Sequence, residues 1–255
     1  MSHAQRSYVV SAAAGGIGSE LVALLLGEGA NVFACDISSR RLAALADKCS
    51  AHAARLQTLK ADTADEAGVE SVRRAALERF GEVHGLANIA GGIVGIGEDL
   101  IDRPIDKITL DEFQQTYRLN LQSAFLMTRA FVPHFREHHY GKIANVASLA
   151  AFGNFDGMGN AGYDAAKAAV IGLTHTLCRS LGPDGIRVNV IAPGSVFTER
   201  VQASFSPEFI EMQRRRIPLH VLTGPLDVAK ALAFLLSPDS DQVSGEVIRV
   251  SGGLR

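Results

Sequence analysis

The sequence predicts a single α/β domain built on a parallel, doubly wound sheet of seven strands flanked by helices, and three observations carry that expectation. Short apolar runs alternate with helix-period segments from one end of the 255 residues to the other. The run at 84–90, His-Gly-Leu-Ala-Asn-Ile-Ala, is almost continuously apolar, as a strand covered on both faces must be. The first apolar strand, at 8–11, passes through Ala12-Ala13-Ala14-Gly15-Gly16-Ile17-Gly18 into a helical run at 20–26.

That strand, glycine turn and helix would present backbone amides and a helix N-terminus to a pyrophosphate. A second strand at 31–35 ends in Asp36, eighteen residues beyond Gly18, where a βαβ unit bonds an adenosine ribose. The segment 39–50 reads as a helix opened by serine caps. The strand at 56–61 ends in Asp62, which fits either a bond to an adenine amino group or an ordinary turn aspartate. A helix follows at 66–80, then the 84–90 strand, closed by Gly91-Gly92, then an irregular connection at 93–109. Positions 111–138 form one helix, with Phe113, Tyr117, Leu121, Phe125 and Phe131 near helical spacing. Asn120 interrupts its apolar neighbours; a buried amide needs partners, so it is a packing group or part of a site. His134, His138 and His139 at the helix end read as a solvated, dipole-compatible terminus rather than a metal site.

The centre of the chain is 142–181: a strand at 142–147, a loop rich in Gly and Asn at 148–162, and a long buried helix from 161 to 181. Tyr163 and Lys167 lie four apart and so share a helix face. A free phenol titrates near pH ~10. An ammonium group one turn away is expected to lower that value toward the working range. Ser148, just after the strand, is placed to hold a substrate oxygen beside the phenol. Taken alone, the Tyr–Lys pair reads as a snorkelling lysine beside a packed tyrosine. Another strand spans 186–191 and leads into Ala192-Pro193-Gly194. The region 198–216 is polar and reads as two short helical pieces. Pro225 opens a helix at 225–236, and a last strand at 246–250 precedes Gly252-Gly253. The polar segment 195–220 follows a Pro-Gly pivot with few core anchors, so it reads as a mobile substrate lid.

Composition narrows the classes. The chain is 47% apolar with net charge −2 and pI ≈ 6.4, which points away from nucleic acid and anionic membranes. No run approaches the ~20 apolar residues a membrane span needs. The polar start runs straight into Tyr8, leaving no room for a signal peptide. Cys35, Cys49 and Cys178 are odd in number and widely spaced, which fits reduced, packed thiols and a cytosolic location.

In chain order, the turn at 11–18, Asp36, Asp62, Asn88-Ile89-Ala90-Gly91, Asn120, Ser148, Tyr163-x-x-x-Lys167 and Pro193-Gly194 with Thr198 form a specific set. On it the chain resembles the short-chain dehydrogenase/reductase family over essentially its full length, 1–255. The resemblance implies a Rossmann-type fold and an NAD(H)-dependent oxidoreductase interconverting a secondary alcohol and a ketone. Tyr163 would be the general acid/base, and Ser148 would orient the substrate oxygen. Lys167 would bond the nicotinamide ribose and depress the tyrosine pKa, and Asn120 would hold a relay water. Cofactor contacts would come from Ser11, Gly15, Gly16, Ile17, Gly18, Asp36, Ile37, Asp62, Thr63, Asn88, Ala90, Gly91, Tyr163, Lys167, Pro193, Gly194, Val196 and Thr198. No metal is implied. The resemblance also implies a homo-oligomer, tetramer or dimer, formed through the helices at 111–138 and 161–182. The alternatives are a 3-oxoacyl thioester reductase and a non-catalytic dinucleotide sensor.

Three departures from the family pattern stand out. Ser11-Ala12 replaces Thr-Gly, and a methyl at position 12 would crowd a positive-φ turn unless Gly15 absorbs the strain. Ile89 replaces a second Asn, and the loop from Ser148 to Tyr163 is slightly longer. Asp36 favours NAD over NADP. Arg40 and Arg41 oppose this, but Ala13, Ala14 and Gly15 carry no basic group, so the local field is expected to stay negative. The pocket would be walled by 93–104, 149–160 and 195–220. Phe152, Phe155 and Met158 read as an apolar lining or as packing, and Arg214-Arg215-Arg216 as a solvated face or an anion contact.

Overall fold

The computed structural model describes residues 3–93, 104–153, 159–198, 201, 203 and 205–255. Its strands are β1 (Ser7–Ser11), β2 (Asn31–Asp36), β3 (Leu56–Lys60), β4 (Gly85–Asn88), β5 (Gly141–Val146), β6 (Ile186–Pro193) and β7 (Val247–Val250). Its helices are α1 (Gly16–Gly27), α2 (Ser39–Lys48), α3 (Glu66–Phe80), α4 (Leu110–Tyr117), α5 (Ser123–Glu137), α6 (Ala161–Leu181), α7 (Pro207–Arg216) and α8 (Pro225–Leu236). The seven strands form one parallel sheet in the order β3-β2-β1-β4-β5-β6-β7. The strand order reverses between β1 and β4, and a crevice opens beyond the carboxyl ends of the strands at such a switch point.

Two apolar layers cover the sheet. On one face Leu21, Val22, Leu25 and Leu26 of α1 meet Val228, Ala229 and Leu232 of α8 over Tyr8, Val10 and Val32. On the other, Val69, Val72 and Ala76 of α3 and Met127, Phe131 and Phe135 of α5 cover Val9, Phe33 and Ile143. Central β5 is buried at every position, whereas edge strand β3 is partly exposed throughout, which explains why 56–60 reads Leu-Gln-Thr-Leu-Lys. Among the described residues no helix is long and apolar enough to cross a membrane, and all three cysteines are free, Cys35 and Cys49 being buried.

Three expectations change. The first turn is strained at Ala12 itself, which sits at φ 48°, while Gly15 is at φ −80° and absorbs nothing. A left-handed alanine costs roughly 1–2 kcal/mol, and the extra unfolded freedom of glycine offsets about 0.5–1 of that. Ala12→Gly is therefore expected to raise stability by about 0.5–1 kcal/mol. Urea unfolding checks it, and an unchanged or lower midpoint refutes it. Next, the helix expected at 111–138 is broken by a π turn, Arg118–Gln122, between α4 and α5. Within α5, Phe125 is 44% exposed while Phe131 is fully buried, because residues six apart on an α-helix point to different faces.

The third change concerns the histidines. His134 is buried, and its Nε2 accepts the Val83 N–H at 3.0 Å, so the helix end is not simply solvated. His134, Glu137 and His138 bring ligand atoms within 4.8 Å of one another. One imidazole nitrogen of His134 is already spent on that amide, however, and Nδ1 of His138 donates to the His134 carbonyl at 2.8 Å. His84 Nδ1 likewise accepts the Ser7 N–H at 3.1 Å, and His3 bonds the Tyr8 hydroxyl at 2.7 Å. Burial lowers the pKa of His3, His84 and His134, that of His3 to about 4.

Each ring is thus harder to protonate folded than unfolded. This contribution to stability is full above about pH 6.5 and is lost as pH falls through the folded values. The melting temperature is expected to fall between about pH 6.5 and 4, and His84→Gln with His134→Gln to flatten the slope, since an amide oxygen still accepts the N–H. Calorimetry across that range tests it; a slope unchanged in the double variant refutes the assignment.

Candidate active site

The glycine turn is tied on both sides. Ala13 N–H donates to Cys35 O at 3.0 Å, and Gly15 N–H to Ala12 O at 3.0 Å. Helix α1 starts at Gly16 behind Gly15, with no side-chain cap and no acidic residue in its first turn, so its leading amides are open to an anion. A Cβ on Gly18 would lie 2.3 Å from Ala12 O, and one on Gly16 would lie 2.6 Å from Thr198 Cγ2. The turn and the chain after β6 therefore close on each other.

Asp36 is buried at the end of β2, where Oδ2 accepts Ala14 N–H at 3.2 Å. Its Oδ1 accepts Ser38 N–H at 2.9 Å and Arg41 Nη2 at 2.9 Å. The expected negative field is therefore partly cancelled. Sequence reasoning placed Arg41 one turn away from the carboxylate, but helix α2 folds the guanidinium back onto it. Ile37 is 61% exposed beside it. Asp62 is not a bare turn aspartate: it pairs with Arg118 Nη2 at 2.7 Å and accepts Ala64 N–H at 2.9 Å. The Thr63 hydroxyl is spent on Ser123 at 2.6 Å.

At the end of β4, Ser11 Oγ donates to Ala87 O at 3.3 Å and accepts the amides of Ile89 and Ala90 at 3.0 and 3.2 Å. Asn88 turns inward, donating to Asn145 Oδ1, Thr128 Oγ1 and Ala124 O, so its side chain faces the core rather than the crevice. These bonds end the strand at Asn88, two residues earlier than the apolar run suggests.

Asn120 lies in the π turn, 1% exposed. Its Nδ2 donates to Thr116 O and Gly92 O at 2.9 and 2.8 Å, and its Oδ1 accepts Gly92 N–H at 2.9 Å. The buried amide thus closes packing bonds to the main chain of Thr116 and Gly92. A Cβ on Gly91 would be 2.6 Å from Asn120 Oδ1 and 2.7 Å from Lys167 Nζ, so glycine is what admits both side chains.

Ser148 opens a single 3₁₀ turn, Leu149–Phe152, accepting Ala150 N–H at 3.2 Å. Asn160 caps α6 by accepting Tyr163 N–H at 3.1 Å. Lys167, 2% exposed, donates to Val146 O at 2.8 Å with its ammonium 5.7 Å from the Tyr163 ring centroid. Burial raises the Tyr163 pKa, the Ser148 hydrogen bond opposes that, and the Asp164 charge adds to it. Burial also brings Lys167 down to about 7. The phenol pKa is thus raised where a neighbouring ammonium was expected to lower it, because desolvation acts on both groups and leaves the lysine only partly charged.

Gly194 N–H donates to Val250 O at 3.0 Å, and Val196 bridges to Thr223. Phe197, Gln213 and Ile217 are buried, so 195–220 has more anchors than its composition suggests. Phe152 packs near Val170, Val190 and Ala192, with Arg249 4.2 Å above its ring. Phe155 and Met158, most of the wall at 93–104, and positions 199, 200, 202 and 204 lie outside the described residues. Arg214 and Arg215 both pair with Glu211, as a solvated face would. Arg118 and Asp164 carried no role in the sequence reading, and Arg41 was read as opposing the Asp36 field from a distance, not as paired with it. Only Arg41, close after Asp36 at a helix start, left a local signal.

Comparisons agree with this geometry. The family model described as enoyl-(acyl carrier protein) reductase matches residues 12–255. 2,3-Dihydroxy-2,3-dihydro-p-cumate dehydrogenase of Pseudomonas putida is 35% identical over 249 residues, 96% of this chain and 92% of that one. The structure of a short-chain type dehydrogenase/reductase from Mycobacterium ulcerans superposes with TM-score 0.90 at 28% identity, covering 99% of this chain and 90% of that one. That of 7α-hydroxysteroid dehydrogenase complexed with NADH and 7-oxo glycochenodeoxycholic acid also gives 0.90 at 28% identity, covering 99% and 95%. A parallel doubly wound sheet with a half-buried Ser and Tyr and a buried Lys beyond its central strand defines a Rossmann-fold oxidoreductase. The chain belongs to the short-chain dehydrogenase/reductase family.

Proposed function

We propose that the chain interconverts a secondary alcohol and a ketone with NAD(H), Tyr163 moving the proton. The observation that carries this reading is the meeting of Ser148, Tyr163 and buried Lys167 beyond β5, with Gly91 packed against Lys167 and Asn120. The uncapped α1 amides, Gly16 and Gly18 suit a pyrophosphate, and the Asp36 carboxylate at the end of β2 suits a ribose diol. The bound nicotinamide would supply or accept the hydride. Ser148 holds the substrate oxygen next to the phenol; Tyr163 donates its proton to that oxygen in reduction and takes it back in oxidation. When the phenol ionises, the neighbouring Lys167 is drawn back to its ammonium form, which stabilises the phenolate. The similarity to a hydroxysteroid dehydrogenase complexed with NADH and 7-oxo glycochenodeoxycholic acid supports the alcohol–ketone assignment.

The test is a panel of secondary alcohols and ketones, with absorbance of the reduced nicotinamide as readout. No turnover with any member, in either direction, refutes the reading. A second reading, reduction of a 3-oxoacyl thioester, is favoured by the similarity to the 3-oxoacyl-[acyl-carrier-protein] reductase of Thermotoga maritima, 32% identical over 247 residues; adding such a thioester to the panel separates the two.

Cofactor choice gives a further prediction. A 2′-phosphate ~4 Å from the Asp36 carboxylate would be repelled by about 4 kcal/mol at an effective dielectric of ~20, before screening. Arg41 offsets part of this, so kcat/KM is expected to favour NAD by roughly ten- to a hundredfold. In Asp36→Ala that preference should collapse. Wild type preferring NADP, or a ratio that Asp36→Ala leaves unchanged, shows that this carboxylate does not select.

A further inference from the structure

Helix α6 carries Tyr163 and Lys167 while β5 leads into Ser148, so the three groups meet only if helix and strand keep one register. The apolar face of α6 does little to set it. Its buried residues are Gly162, Ala166, Lys167, Val170, Thr174 and Leu181, and Val170 packs with Ala147, Val190 and Ala192. Contacts between small apolar groups are non-directional and tolerate sliding or rotation. The polar members of that face are Lys167 and Thr174. Lys167 Nζ donates to Val146 O at 2.8 Å, and the Thr174 hydroxyl accepts Asn145 Nδ2 at 2.9 Å. Adjacent residues of β5 thus hold two residues of α6 that lie seven apart, ~10.5 Å along one helix face. We propose that Asn145 and Thr174 are positioning residues for the proton chemistry, their buried hydrogen bond setting the height and rotation of α6 on β5 and so the place of Tyr163 beside Ser148.

Both side chains are themselves held for that task. Asn145 and Thr174 are each fully buried. Asn145 Oδ1 accepts Asn88 Nδ2 at 2.9 Å, which fixes the amide plane. The Thr174 hydroxyl donates its proton to Val170 O at 2.9 Å, leaving a lone pair for Asn145. A buried amide that loses its partner keeps its full desolvation cost, so the bond resists displacement of either element. The Lys167 tether alone does not suffice. Its ammonium is the group expected to bond the nicotinamide ribose and to gain charge when Tyr163 ionises, so its hold on Val146 O changes during the reaction. The amide and the hydroxyl stay neutral throughout. Their bond keeps the register while Lys167 changes state.

This inference rests on Tyr163 moving the proton, and the readouts keep the two apart. Thr174→Val keeps the shape and removes the hydroxyl; Thr174→Ser keeps the hydroxyl. Val72→Ala, in the core beneath α3, is the control for lost stability alone. Each variant is assayed well below its melting temperature on a substrate from the panel. In Thr174→Val kcat is expected to fall roughly ten- to a hundredfold with substrate KM little changed, while Thr174→Ser and Val72→Ala stay near wild type. Hydrogen exchange at 161–167, which needs no substrate, is expected to be faster in Thr174→Val than in Val72→Ala. Wild-type kcat in Thr174→Val, an equal fall in Thr174→Ser or Val72→Ala, or exchange no faster than in Val72→Ala overturns the proposal. Turnover retained in Tyr163→Phe refutes the acid/base assignment instead, and the exchange comparison still decides whether the tether holds α6.

Discussion

Tyr163→Phe is expected to fold, bind NAD with near wild-type affinity and lose turnover by ~10² to 10⁴, the usual worth of one positioned general acid/base. The phenyl ring keeps its packing against Lys167 and the first turn of α6, since Asn160 caps the main-chain amide and not the hydroxyl. Only the proton and the Ser148 hydrogen bond disappear. Stability should therefore hold or rise slightly, because a partly buried hydroxyl is removed. Steady-state kinetics on a panel substrate, with NAD affinity from fluorescence titration, checks both halves. Wild-type-like turnover would remove Tyr163 from the chemistry.

Gly18→Ala is expected to damage folding and cofactor binding together. The added methyl would sit 2.3 Å from Ala12 O and within 2.9 Å of two Ala13 backbone atoms. Those neighbours are main chain in a turn already strained at Ala12, so nothing flexible can yield. Helix α1 must move away, pulling Leu21, Val22, Leu25 and Leu26 from the core they share with α8. Overpacking of this kind costs about 1–3 kcal/mol, roughly 2–12 °C in melting temperature for a chain of this size. Because the displaced amides are those proposed to hold the pyrophosphate, NAD affinity should fall even in the folded fraction. Calorimetry and a binding titration test this; a variant matching wild type in both would show that the turn has room the geometry denies.

The same two residues show what can be read from a linear chain. Gly18 is legible because a tight strand-to-helix turn leaves a local mark, and Tyr163 because i, i+4 spacing alone puts it beside Lys167. Alternating apolar runs and helical periods set the order of elements, since each depends on backbone geometry over a few residues. The segment at 111–138 shows the limit. Its apolar spacing reads as one helix, yet the π turn at Arg118–Gln122 coincides with Asn120 reaching back to Gly92, a partner in another part of the chain.

What the sequence alone determined was the parallel doubly wound order of strands and helices and the identity of Ser148, Tyr163 and Lys167 as a set. Tertiary structure decided who neutralises whom. Arg41 turns onto Asp36, Arg118 reaches Asp62 across 56 positions, and His134 gives its ring nitrogen to the Val83 amide. It also decided the direction of the Tyr163 shift. Charge and hydrogen-bond balance depend on burial and on approaches within about 4 Å, and these exist only once distant segments of the chain have been packed against one another.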